Sequence, residues 1–159
     1  MPARLRERRA EYRAALPGPF YCDTSALLKL YLREPESADF MRVVEERDDL
    51  LVSDLGVTEI ASALSRRVRQ GAVTPEQALG VQREVIESLT GPPYQHVELT
   101  REVHRRAEHL LLRLTKTPLR AGDALHLALA LSARAASMAA FDARLAAAAR
   151  AVGLAVYPA

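Results

Sequence analysis

A chain of 159 residues, 49% hydrophobic and 26% charged, has the length and composition of one globular domain with a sizeable core, which excludes a largely disordered protein. Its single cysteine, Cys22, excludes an intrachain disulfide and a cysteine-based zinc site, and no apolar run approaches the roughly 20 residues a membrane span needs. The net charge of +2 is unevenly spread: five arginines against two glutamates put +3 on residues 1–18 and leave −1 on the rest.

The charged N-terminus lacks the apolar core of a secretion signal, and Arg8-Arg9 is not followed by the apolar segment of a twin-arginine signal. With no disulfide to form, this points to a cytoplasmic protein. Lys29 and Lys116 are the only lysines among 22 basic residues. Arginine pairs bidentately with carboxylate and phosphate, so a basic arm on a near-neutral body permits nucleic-acid contact without requiring it.

Residues 3–15 read as a short basic helix ended by the linker Pro17-Gly18-Pro19, which divides the chain into a basic N-terminal helical extension over 1–18 and a body over 19–159. Three readings of the extension are RNA contact, packing on a partner subunit and a frayed end; Leu5, Tyr12 and Leu16 favour packing. Pro19–Cys22 is a short apolar strand, and Asp23-Thr24-Ser25 marks the switch to a helix. A helix from near Glu36 leads to a second strand, Leu50–Ser53, and Asp54 caps a helix to about Gly71. Thr74-Pro75-Glu76-Gln77 combines a cap, a proline at the first helical position and a glutamine three residues after the cap. That helix stops by Gly91-Pro92-Pro93. A third strand follows at Gln95–Leu99, then a helix capped by Thr100 and running to about Leu114. Gly122-Asp123 opens a helix through Arg134, Met138–Phe141 is a fourth strand, and an Ala-rich helix follows Asp142 until Gly153 ends it. Leu154–Tyr157 is the last strand. Apolar strands separated by helices indicate an α/β fold whose parallel sheet is covered on both faces.

Four acids stand out by position. Asp23 and Asp142 follow apolar strands, which places them at the carboxyl edge of the sheet, where open α/β folds bind ligands. Glu59 flanks the apolar stripe of its helix near the start. Asp123 opens a helix that is apolar on nearly every side and therefore buried. Each has a structural reading: Asp142 and Asp123 as a cap and a first-turn acid, Glu59 as a solvated flank or a partner of Arg66 or Arg67. Asp23 is harder to read as a cap, because Thr24 or Ser25 can fill that role. Together, four convergent carboxylates would repel one another. Two divalent cations balance −4 with +4, and carboxylate oxygens suit Mg²⁺ or Mn²⁺. Ions ~3.5–4 Å apart in such a site activate water and stabilise the leaving oxygen of a phosphodiester.

Asp23-Thr24-Ser25 with the following Leu-Leu-Lys-Leu-Tyr, Val57-Thr58-Glu59 with Ile60-Ala61-Ser62-Ala63-Leu64, Gly122-Asp123-Ala124-Leu125-His126-Leu127-Ala128, and Phe141-Asp142-Ala143-Arg144-Leu145 resemble the PIN-domain ribonucleases, and among them the VapC-type toxins of toxin–antitoxin pairs. The resemblance runs in order from about Phe20 to Tyr157. It implies a three-layer α/β/α fold with a short parallel five-stranded sheet, an acidic pocket binding one or two Mg²⁺ or Mn²⁺ ions, and endonucleolytic cleavage of RNA. Carried over by position, it implies that Asp23 and Asp123 are the principal metal ligands, that Glu59 and Asp142 complete the site directly or through waters, and that Thr24 or Ser25 orients a carboxylate or water. It further implies a homodimer inhibited by a small antitoxin. The chain departs from the pattern twice: 22 residues precede the first Asp, and Ala139-Ala140-Phe141 supply no hydroxyl before Asp142.

Other polar residues read more plainly. His126, the only polar residue between Asp123 and Ser132, is a buried histidine making one hydrogen bond, with proton transfer as the alternative. His104 and His109 stand five apart, not the three or four of one helix face. Arg66, Arg67 and Arg69 form a solvated face or contact RNA phosphate. The resulting expectation is a metal-dependent endoribonuclease, a hydrolase acting as a toxin. The alternatives are a PIN-like module that binds RNA or protein without cutting, and a small α/β regulatory domain whose acids are only caps.

Overall fold

Five short runs pair into one sheet: β1 (Phe20–Cys22), β2 (Leu50–Val52), β3 (Tyr94–His96), β4 (Ser137–Ala139) and β5 (Ala155–Tyr157). Among the described residues, seven helices connect and cover them: α1 (Thr24–Tyr31), α2 (Ser37–Val44), α3 (Asp54–Arg69), α4 (Pro75–Leu89), α5 (Arg101–Arg113), α6 (Ala121–Ser132) and α7 (Ala143–Ala151). The computed structural model describes residues 7, 11, 15–45 and 47–159. The basic helix predicted over residues 3–15 lies outside these, apart from Glu7, Glu11 and Ala15. None of the described helices is long and apolar enough to cross a membrane.

All strand pairs are parallel, in the order β3-β2-β1-β4-β5, as expected for the α/β fold. Phe20 stands beside Leu50 and Ser137, and Tyr21 beside Leu51 and Met138. Because side chains alternate along a strand, this register sorts them to two faces. Tyr21, Leu51 and Met138 join a core with Val103 of α5, Leu127 of α6 and Leu145 of α7. Phe20, Cys22 and Leu50 join a second core with Leu27 of α1, Phe40 of α2, Ile60 of α3 and Val85 of α4. The result is three layers. Phe40 knits the second core: its ring centroid lies 6.5 Å from Phe20, 5.5 Å from Phe141 and 5.6 Å from Tyr157, spacings at which aromatic pairs attract beyond their buried area.

The strand order creates the crevice. From β1 the chain moves outward through β2 to β3, then crosses to β4 and β5 on the other side. The helix leaving β1 packs on one face and the helix leaving β4 on the other. A cleft therefore opens over the carboxyl ends of β1 and β4, the topological switch point at which such sheets bind ligands.

Two strands sit earlier than their hydrophobicity predicts. β3 is Tyr94–His96 rather than Gln95–Leu99, because β2 ends at Val52, and Val97 N–H, which donates to Val52 O at 2.8 Å, is the last group to find a partner there. β4 is Ser137–Ala139 rather than Met138–Phe141. Ala140 N–H still reaches Tyr157 O, but Phe141 N–H turns away to Ser25 Oγ. Two helix starts agree: Thr74 and Gln77 form a reciprocal capping box, and Thr100 caps α5. Asp54 is not a cap but the first residue of α3, because Ser53 is the last residue with extended dihedrals. Cys22 is buried, and burial pushes its thiol far above the ordinary range.

The opposite edge of the sheet is tied separately. Buried Arg47 makes two hydrogen bonds of 2.8 Å to Asp49, donates to Leu16 O at 3.1 Å and lies 4.6 Å from the Phe20 ring centre. Gly18 admits this arrangement, since an added Cβ would stand 1.7 Å from Asp49 Oδ2. Ala136 N–H donates to Pro19 O at 2.9 Å, which holds the linker against β4.

Burial separates two classes of substitution. Leu127→Ala, in the fully buried face of α6, is expected to cost about 2–5 kcal/mol. Thr74→Ala, at an exposed cap, is expected to cost about 1 kcal/mol. Urea unfolding of both variants checks the order; equal losses would contradict the described core.

Candidate active site

The local turns aim the acids. Asp23 follows β1, is 3% exposed, and accepts a 2.8 Å hydrogen bond from Ala26 N–H. It is thus the N-cap of α1 itself. The expectation that Thr24 or Ser25 relieves it of capping is corrected: Ser25 Oγ instead donates to Asp23, at 2.7 Å from Oδ1 and 2.9 Å from Oδ2. The reason is geometric, since the cap is the last residue before helical dihedrals begin, and Asp23 is still extended (φ −76°, ψ 178°). Ser25 Oγ also accepts Phe141 N–H at 2.9 Å. That bond ties the β1–α1 turn to the β4–α7 turn carrying Asp142, where the sequence itself lacks a hydroxyl.

Asp142 caps α7 through Oδ1, which accepts Arg144 N–H at 2.9 Å and Leu145 N–H at 3.1 Å. Asp123, the third residue of α6, accepts Arg120 N–H on Oδ2 at 3.0 Å. Glu59, in the second turn of α3, pairs with neither Arg66 nor Arg67. It accepts from Thr24 Oγ1 and lies 2.8 Å from His126 Nε2.

All four acids, with Thr24 and Ser25, line one cleft of about 320 Å³. Two larger hollows, of about 540 and 480 Å³, are lined mainly by apolar side chains. Burial pushes Asp23 up to about 6 from its ordinary 3.8, partly offset by His126, Ser25 and the Ala26 N–H and reinforced by Glu59. The hydrogen bond from His126 holds Glu59 below its ordinary value against its own partial burial. Among the described residues, no three His, Cys, Asp or Glu side chains stand close enough to enclose an ion by themselves. The donors are nevertheless all hard oxygens, with a desolvated carboxylate lacking an adjacent fixed cation. That set suits Mg²⁺ or Mn²⁺ held by one or two carboxylates with waters filling the remaining positions.

His126 and Arg66 also line the cleft. His126 makes several hydrogen bonds rather than one, and the signal for it was its place three residues after Asp123, on the same face of α6. Arg66 lies two helical turns beyond Glu59 on α3. Arg67 pairs with Glu34 and Arg69 with Ser65, whereas Arg66 has no side-chain partner among the described residues.

The raised Asp23 pKa carries a stability consequence. A group whose folded pKa lies above its unfolded value contributes stability below about pH 3.8 that is lost as the pH rises through about 6. Ionised Asp23 therefore costs the metal-free protein on the order of 2–3 kcal/mol at pH 8. Asp23→Asn, which keeps the cap acceptor, is expected to be more stable than wild type by about that amount at pH 8, and no more stable near pH 4. Urea unfolding at both values checks this; an equal difference at both would contradict the burial argument.

The comparisons agree with this architecture. The family model for the PIN domain matches residues 20–151. The crystal structure of VapC20 from Mycobacterium tuberculosis, described as a toxin cleaving the sarcin-ricin loop, superposes with a TM-score of 0.64 at 15% identity, covering 81% of this chain and 94% of that one. VapBC2 from Rickettsia felis, solved bound to a DNA fragment from its promoter, superposes with a TM-score of 0.61 at 11% identity, covering 86% of this chain and 96% of that one. No curated protein matches. At these identities the two structures show a shared fold, while the family model spans most of the chain, and this chain belongs to the PIN-domain family.

Proposed function

We propose that this protein is a divalent-cation-dependent endoribonuclease, the toxin of a toxin–antitoxin pair. The observation that carries the reading is the convergence of Asp23, Glu59, Asp123 and Asp142, from four separate segments, on one cleft at the switch point of a PIN-domain sheet. Asp23 and Asp123 are the principal holders of a Mg²⁺ or Mn²⁺ ion, with Glu59 and Asp142 completing the site directly or through waters. When bound, such an ion would offset part of the carboxylate charge, lower the pKa of water and stabilise the oxygen leaving the phosphodiester.

The chain's own residues prepare this chemistry. Ser25 fixes the orientation of Asp23 and connects it to the Asp142 turn. Thr24 donates to Glu59. Arg66 reaches a backbone phosphate of single-stranded RNA as it enters the acidic cleft, which would otherwise repel it. The VapBC2 complex supports a small antitoxin as partner. A homodimer in the cytoplasm completes the reading.

Purified protein is expected to cut single-stranded RNA with Mn²⁺ or Mg²⁺ and to stop in excess chelator. Asp23→Asn is expected to abolish cutting although it folds. Mn²⁺ should raise the thermal midpoint of wild type at pH 8 but not that of Asp23→Asn. Cutting that survives the chelator or the substitution overturns the mechanism, and intact RNA bound with all four acids present identifies a binding module instead. Arg66→Ala is expected to raise KM, leave kcat nearly unchanged and reduce the salt slope of RNA binding by about one; an unchanged slope removes Arg66 from the phosphate path.

A further inference from the structure

One buried group in the cleft is not used by the proposed chemistry. His126 is 3% exposed and sits one turn after Asp123. Its Nε2 lies 2.8 Å from Glu59 Oε2 and 3.0 Å from Thr24 Oγ1, and its Nδ1 lies 2.8 Å from the Tyr21 hydroxyl. That hydroxyl in turn lies 3.2 Å from Ser53 Oγ. The chain of contacts runs from the middle of β1 to the carboxylate of α3.

The proton positions follow from what each group can donate. An ionised carboxylate only accepts, so Nε2 carries the hydrogen and donates to Glu59. Thr24 donates to the same Oε2. On the other side of the ring, Nδ1 faces the Tyr21 hydroxyl, which fixes the ring plane. Burial holds that phenol protonated, far above its ordinary range. Among the described residues, Oε1 of Glu59 has no hydrogen-bond partner. It lies over Gly122, where an added Cβ would stand 2.8 Å from it.

We infer that His126 is a positioning residue: oriented by Tyr21, it clamps Glu59 through Oε2 and so leaves Oε1, in the space Gly122 provides, as the Glu59 oxygen free to act in the cleft. The inference rests on the nuclease reading of that cleft. It departs from a purely structural role for His126, which would satisfy the same hydrogen bonds and leave turnover untouched. Partners of this kind orient acidic and metal-binding groups, and their loss typically lowers activity about 10–100-fold.

The test compares His126→Leu, His126→Gln and Tyr21→Phe in the full chain, with single-stranded RNA and Mn²⁺. His126→Leu is expected to lower kcat by about 10–100-fold with KM within about twofold. His126→Gln, whose amide N–H takes the place of Nε2–H, is expected to recover most of that loss, and Tyr21→Phe to lower kcat less than His126→Leu does. Gln no better than Leu, or wild-type kcat in both, overturns the clamp. If His126→Leu does not fold, the Gln and Phe variants decide: wild-type kcat in Tyr21→Phe overturns the orienting role of Tyr21. A readout independent of cutting is the long-range proton–nitrogen NMR spectrum of wild type. Hydrogen on Nε2 is expected, and hydrogen on Nδ1 alone overturns the assignment. Wild type that fails to cut RNA with Mn²⁺ defeats the proposed function, while the spectrum still decides the wiring.

Discussion

The structure turns on one carboxylate placed where carboxylates are least welcome, at the end of a strand flanked on both sides. β1 lies between β2 and β4, so the residue that follows it is enclosed by the turns of its neighbours. Asp23 is desolvated there, and the fold compensates only in part, through the nearby His126 ring and through directed hydrogen bonds from Ser25 and the first turn of α1. That leaves a charge deficit facing the cleft. Asp123 and Asp142 are held by the starts of their own helices and Glu59 by Thr24 and His126, so the deficit is shared.

Capping and ligation do not compete in this arrangement. A carboxylate has two oxygens and about four lone-pair directions. Asp142 accepts backbone N–H groups on Oδ1 and Asp123 on Oδ2, while Glu59 meets Thr24 and His126 through Oε2. Each of these three acids is therefore pinned through one oxygen with the other left over, whereas Ser25 touches both oxygens of Asp23. Pinning removes rotamer freedom before any ligand arrives, which lowers the entropy cost of assembling the cleft. For Asp23, Asp123 and Asp142 the helix starts supply both the anchoring N–H groups and the favourable end of the helix dipole.

Much of this was legible in the chain. The apolar runs at Phe20–Cys22 and Leu50–Val52 announce buried parallel strands, and Thr74-Pro75-Glu76-Gln77 announces its helix, because each signal is local. What stayed hidden depends on partners distant in sequence. The strand order, and with it the position of the switch, follows from which faces pack together. The ends of β3 and β4 are not legible, because hydrophobicity continues past the point where a neighbouring strand stops offering carbonyls. Asp23 was set aside as a cap because Thr24 and Ser25 are equally good cap residues, but the dihedral at the boundary decides which residue serves. His126 and Arg66 both carried a positional signal, at three and seven residues from an acid on the same helix, but helical spacing alone does not show which face the cleft occupies.

The linker before β1 adds a directional consequence. Arg47, Asp49, Gly18 and Pro19 fasten it at the amino-terminal ends of the strands, and the acids stand at the carboxyl ends. The chain thus enters the domain from the side facing away from the cleft. A force applied to the linker at residues 16–19 would therefore pull on the back of the sheet, on the side opposite the mouth of the cleft.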